Sequence, residues 1–233
     1  MLERRSTKRN MSNHPTAAMF CRLIPLVALA LASLAPSQAQ SPCCGPIDAN
    51  GQRLKAFLDS MHVEEHWPAG WHVNWRTGEP EHKSDKPSSH CSAFAAAAAE
   101  KLGIYLLRPP EHKQVLLANA QFDWLQSQGA TQGWRRLRGY REAQELANRG
   151  ELVVASLANP NSEKPGHIAI IRPSEKTRAM LDGDGPEITQ AGLTNYNHTD
   201  VATGFKHHET KTQSWKQIGI LYFAHTVDWS QQR

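Results

Sequence analysis

The sequence has no apolar run long enough for a permanent membrane span, no basic run beyond its first forty residues, and only four cysteines. Its longest apolar stretch, 23–34, falls well short of the roughly 20 residues a helix needs to cross a bilayer. The chain carries 26 Lys plus Arg against 22 Asp plus Glu, but Arg4, Arg5, Lys8, Arg9 and Arg22 against Glu3 account for the surplus and leave 21 of each sign beyond. A neutral body has no electrostatic footprint for DNA or RNA, so nucleic acid is excluded as the expected partner. Phosphate loops, dinucleotide fingerprints and internal repeats are missing. His207-His208-Glu209 lacks the i, i+4 histidine spacing of a helical zinc site. Neither metal nor cofactor is expected. With 39% apolar residues over 233, one globular domain is the natural reading.

What is there begins with a secretory signal. A basic start, the apolar 23–34 stretch and Ser37-Gln38-Ala39, with small residues three and one before the cut, predict cleavage after Ala39. No aliphatic lipoprotein box precedes Cys43. The expected division is a signal peptide over 1–39, a linker over 40–50 and a folded domain over 51–233. The mature protein would be periplasmic or secreted, with no stable membrane anchor. Cys21 leaves with the signal, so Cys43, Cys44 and Cys91 remain in an oxidising compartment. Neighbouring Cys43 and Cys44 cannot bond to each other without strain. They could instead pair elsewhere, hold metal or do nothing. Cys91 is then the thiol to explain.

Hydrophobic spacing predicts helices over 51–63, 111–128 and 141–148 and strands over 152–156 and 218–223, the last placed centrally in the sheet. Residues 66–80 carry Trp67, Trp71 and Trp75 among Gly and Pro, a pattern too broken for a helix. Three such tryptophans pack together more often than they line a ligand groove.

Ser88-Ser89-His90-Cys91-Ser92-Ala93-Phe94 opens a further helix that runs through the Ala95–Ala99 stretch to Gly103, with Ser88 or Ser89 as its cap. Cys91 falls in the first turn, where unpaired N–H groups and the positive end of the helix dipole favour a thiolate and can hold an oxyanion. Taken alone, a cysteine there is more often a small buried hydrophobe. His167 opens a second apolar strand, Gly166-His167-Ile168-Ala169-Ile170-Ile171, and shares a face with Ala169 and Ile171. From there it is expected to meet a helix N-terminus packed on that same face, the arrangement a Cys–His pair requires. After a turn at 182–186, residues 187–196 suggest a third strand. Its Gln190 or Asn195 could fix the imidazole tautomer, though either could also be a turn residue. His90, adjacent to Cys91, points about 100° away on a helix and ranks below His167.

Cys91-Ser92-Ala93-Phe94 resembles the Cys-Ser-Gly-Phe signature of NlpC-type papain-like peptidases. Gly166-His167-Ile168-Ala169-Ile170 is similar to the Gly-His-Val-Ala strand of those enzymes and of CHAP amidases, and 188–195 is similar to their third polar strand. The resemblance covers about residues 85–225. His90 stands where many relatives have Asp, and Ala93 replaces Gly. It implies an α+β fold with the Cys-bearing helix packed on an antiparallel sheet, and cleavage of amide bonds in cell-wall peptides. Cys91 would be the nucleophile, His167 the base and then the acid, and Gln190 the orienting residue, with Asn195 in reserve. Peptidoglycan or another peptide is the expected substrate. A protein peptidase, an acyltransferase, or a catalytically silent binding module on the same scaffold stand as alternatives.

Overall fold

Leu54 and Leu58 lie one turn apart and are fully buried on α1 (Ala49–Ser60). Asp48 sets the start of this helix, its carboxylate accepting the Gly51 N–H at 2.8 Å. The computed structural model describes residues 42–86 and 88–232; the signal segment, Cys21 and the expected cleavage point lie outside them. After α1 come a short antiparallel hairpin, β1 (Trp71–Val73) with β2 (Pro80–Lys83), and then α2 (Cys91–Lys101). The hairpin occupies ground expected to be irregular. Ala95 to Ala99 are all buried, so α2 lies flush against what it packs on, and Gly103 at φ +73° ends its last turn.

The chain continues through α3 (Leu117–Ser127), β3 (Arg135–Arg136), α4 (Tyr140–Asn148), β4 (Leu152–Leu157), β5 (His167–Ile171), α5 (Arg178–Asp184), β6 (Glu187–Ala191) and β7 (Asn195–Asp200). It closes with α6 (Val201–Gly204), a 3-10 turn at Lys206–His208, and β8 (Leu221–His225). Six strands form one sheet in the order β3-β8-β4-β5-β6-β7, and every neighbouring pair is antiparallel. The protein is therefore mixed α+β around an antiparallel sheet. β8 is interior but lies one strand from the edge, while β4 and β5 hold the centre.

Alternation along the strands divides the core in two. Leu152, Val154, Ile168, Ile170 and Phe223 pack with α1, α2 and α3 on one face. Val153, Ala155, Leu157, Ala169, Ile171, Ile188 and Ala224 pack with α4, α6 and Phe205 on the other. Each fully buried aliphatic side chain contributes about 1.5–3 kcal/mol, so both faces hold the sheet in place.

Several boundaries differ from the sequence-based expectation, for local reasons. Residues 42–48, expected as a linker, are tied down: Pro42 bridges Thr177, the Cys43 N–H donates to the Lys176 carbonyl at 2.8 Å, and the Asn148 amide donates to the Gly45 carbonyl at 3.0 Å. α3 begins at Leu117 rather than at 111, because Leu116 takes a left-handed φ of 56° and Gln114 is tethered to the Val73 carbonyl. The stretch 182–186, expected as a turn, ends α5 instead; Thr177 caps that helix and Gly185, at φ +80°, stops it. The expected third strand over 187–196 is a hairpin, with β6 and β7 paired through Ala191 and Asn195.

Candidate active site

α2 brings Cys91 to the start of β5. His90, not Ser88 or Ser89, occupies the helix-capping position, without a side-chain capping bond. Its Nε2 instead lies 2.8 Å from the Trp71 carbonyl, and the Ser88 hydroxyl donates to that same carbonyl. His90 is thus committed to the β1 backbone. The Cys91 thiol is 3% exposed, and burial pushes it above the ordinary thiol range. The N–H groups of Ile168, Ser92 and Cys91 itself, and the Ser89 hydroxyl, reach the sulfur and oppose that shift without cancelling it. Burial thus works against the thiolate that the helix start was expected to favour.

His167 is the first residue of β5 and pairs across the sheet with Leu157. Gly166 delivers it there, since a Cβ at that position would sit 2.1 Å from the Leu157 carbonyl oxygen and 2.6 Å from Asn119 Oδ1. Only glycine passes this point without a shift of backbone. The imidazole is 5% exposed and lies edge-on to Phe205, with ring centroids 4.6 Å apart, and stacked on His208 at 5.7 Å. Burial lowers its pKa to about 4 against the support of Gln190. His208 is lowered to about 4 as well, by burial and then by the neighbouring His167 and His207.

Gln190 and His167 form the one side-chain bond within the candidate set: His167 Nε2 lies 2.8 Å from Gln190 Oε1. The Gln190 amide nitrogen donates to the Thr194 carbonyl at 3.4 Å, which fixes which end of the amide faces the histidine. Because Oε1 only accepts, Nε2 carries the ring proton and Nδ1 keeps its lone pair. Two glycines clamp the amide. A Cβ on Gly204 would lie 2.5 Å from Gln190 Oε1, and one on Gly192 would lie 2.8 Å from its Nε2.

The expected meeting of sulfur and imidazole on one sheet face is corrected. Cys91 packs with Ile168 and Ile170, on the face covered by α2, whereas His167, Ala169 and Phe205 belong to the other. The strand alternation that groups His167 with Ala169 and Ile171 turns its side chain away from α2. β5 and β6 are paired at Ile170↔Thr189 and Ile171↔Ile188, leaving His167 and Ile168 beyond their last pair. Cys91 shares its core cluster with Ile168, one residue from His167. Among the described residues no hydrogen bond joins the sulfur to the imidazole.

Asn195 is not with His167. Its amide nitrogen donates to the carbonyls of Val63, His66 and Trp67 at 2.8, 2.8 and 3.2 Å, so it pins the loop after α1 instead. Trp67 is buried against Phe94, edge-on at 5.2 Å, and Gly78 leaves room for its ring. Trp71 and Trp75 are half-buried, under Lys83 and between Arg76 and Arg108 respectively. Sequence reasoning missed Ser89, Gly192, Gly204, Phe205 and His208 as neighbours of the candidate groups. Only His208 carried a signal, as part of a histidine pair. No family model and no curated protein matches this chain, and the site rests on its own residues.

Proposed function

We propose that this chain is an exported papain-like cysteine hydrolase that cleaves amide bonds in peptidoglycan peptides. The observation that carries the reading is the His167–Gln190 bond of 2.8 Å, which leaves Nδ1 unprotonated on the residue that precedes Ile168, a core neighbour of Cys91. A neutral imidazole with a fixed tautomer is what a general base needs. A cysteine in the first turn of a helix is what a nucleophile with nearby oxyanion donors needs.

The resting pair is thiol and neutral imidazole, so the proton moves during the reaction rather than before it. His167 Nδ1 takes the Cys91 proton as the sulfur attacks the amide carbonyl, and the N–H groups of Cys91 and Ser92 face the developing oxyanion. The imidazolium then protonates the leaving amine, and water, activated by the same histidine, releases the acyl group. Substrate entry requires the cover over both groups to part, since neither is more than 5% exposed.

That burial also favours a second reading, a catalytically silent binding module. The sulfur is enclosed, its thiol form is stabilised, and the imidazole lies on the other sheet face. Incubating the purified mature chain with defined muropeptides and weighing the fragments separates the two. Cleavage by the wild type and none by Cys91→Ala supports the hydrolase. Intact muropeptides, together with Cys91 labelled by iodoacetamide no faster than a model thiol, support the silent module. Intact muropeptides with fast labelling point to the same chemistry on protein substrates or acyl acceptors.

A further inference from the structure

The candidate site leaves two thiols unused. Cys43 and Cys44 are adjacent, half-buried and free, in a segment held on both sides. The Cys43 N–H donates to the Lys176 carbonyl at 2.8 Å, Pro42 bridges Thr177, and the Asn148 amide holds the Gly45 carbonyl at 3.0 Å. Cys44 itself adopts a left-handed φ of 73°, a conformation uncommon for a residue other than glycine. The two thiols are carried by consecutive residues, with the charges of Glu145 and Arg141 acting on Cys44. Cys91, by contrast, is buried at the start of α2 in the core.

We propose that Cys43 and Cys44 form a redox-active vicinal dithiol that closes reversibly to a disulfide ring containing their shared peptide bond, by exchange with an external disulfide. The ring accounts for the odd number of cysteines left after Cys21: two close on each other and Cys91 stays reduced. Consecutive Cα atoms are about 3.8 Å apart, below the roughly 4.4 Å at which ordinary disulfides begin. The ring is strained and therefore easily reduced, which makes it a switch rather than a staple.

The chemistry balances. The Cys43 thiolate attacks one sulfur of the external disulfide, forming a mixed disulfide and releasing one thiolate, which takes up the proton Cys43 lost. The Cys44 thiol then gives up its proton and attacks the Cys43 sulfur, closing the ring and releasing the second thiol. Two protein thiols are oxidised and one external disulfide is reduced to two thiols. Burial and the neighbouring Cys43 push the Cys44 thiol up to about 12, which keeps it protonated and makes its attack on the mixed disulfide the slow step.

The test is to equilibrate the mature chain with oxidised and reduced glutathione over a range of ratios and weigh the intact protein. Loss of two hydrogens, mapped to the single peptide that holds both residues and reversed by a dithiol reductant, is expected. Cys91→Ala should leave that loss unchanged, and Cys43→Ser should abolish it. A stable glutathione adduct on the wild type, a bridge to Cys91, a disulfide-linked dimer, or thiols unchanged even in fully oxidised glutathione would each overturn the proposal. Circular dichroism on Cys43→Ser separates a lost ring from a lost fold.

Discussion

The two faces of the central sheet are built differently, and the difference bears directly on the candidate chemistry. On the α2 face the sequence supplies small apolar residues, Ala95 to Ala99, that lay a helix flush on Ile168 and Ile170 and seal the Cys91 sulfur among backbone N–H groups. On the opposite face a polar pair, His167 and Gln190, is buried under Phe205 and His208 and held by contacts that only glycine permits. One face fixes a sulfur by a helix start; the other fixes an imidazole by strand register and glycine clearance. Joint action would require the two to meet at the start of β5, where His167 precedes Ile168.

The largest expected effect breaks the sulfur side alone. Cys91→Ala should reduce muropeptide cleavage roughly 10⁴-fold or more, while thermal unfolding shows at most about 1 kcal/mol of lost stability. Retained cleavage would remove the nucleophile from the α2 face. Next comes the polar side. Gly166→Ala forces a Cβ to 2.1 Å from the Leu157 carbonyl oxygen and should cost about 2–4 kcal/mol in denaturant titration. An equal loss is not expected at Gly183, where a Cβ meets nothing within 4 Å.

A pH series sharpens the contrast. His167 is held near 4 in the folded chain against the usual 6.5, so the unfolded state binds the proton first as pH falls. Its contribution is fully present above about pH 6.5 and is lost as pH drops toward 4, at about 3 kcal/mol in all. His208, lowered in the same direction, acts in the same window. Denaturant midpoints at pH 7.5 and 4.5 should differ accordingly, and less so in His167→Gln. Smaller again, Gln190→Ala leaves a buried Nε2–H unpaired and should cost about 1–3 kcal/mol, with a loss in kcat that the conservative Gln190→Asn does not rescue if reach matters. Asn195→Ala, freeing the loop carbonyls of Val63 and His66, should cost about 1 kcal/mol and leave the pH profile of turnover unchanged.

The sequence made the α2 face easier to read than its opposite. An alanine run after a serine-rich start and before Gly103 marks a close-packed helix, and Cys91 falls on its first turn. The strands at 152–157 and 167–171 follow from short apolar runs bounded by polar turns. The contact of Gln190 with His167 was accessible from strand pairing. Alternation places residues two apart on one face, but sequence does not say which face receives α2, and that choice put His167 opposite Cys91. Asn195, held in reserve and open to being a turn residue, sits where a tight turn splits the expected strand into β6 and β7, its amide toward the loop after α1. Phe205 carries no motif and His208 only its histidine pair; they reach His167 through a short helix and a 3-10 turn whose placement depends on tertiary contacts.

The most direct test of a joined sulfur and imidazole is the rate at which iodoacetamide labels Cys91 in a Cys43→Ser, Cys44→Ser background, compared with the same chain carrying His167→Ala. With Nδ1 serving as the proton acceptor, labelling should slow at least about tenfold when the imidazole is removed, and its pH profile should shift toward that of an ordinary buried thiol. Equal rates in the two proteins would show that the two sheet faces do not communicate, and the hydrolase reading would fall.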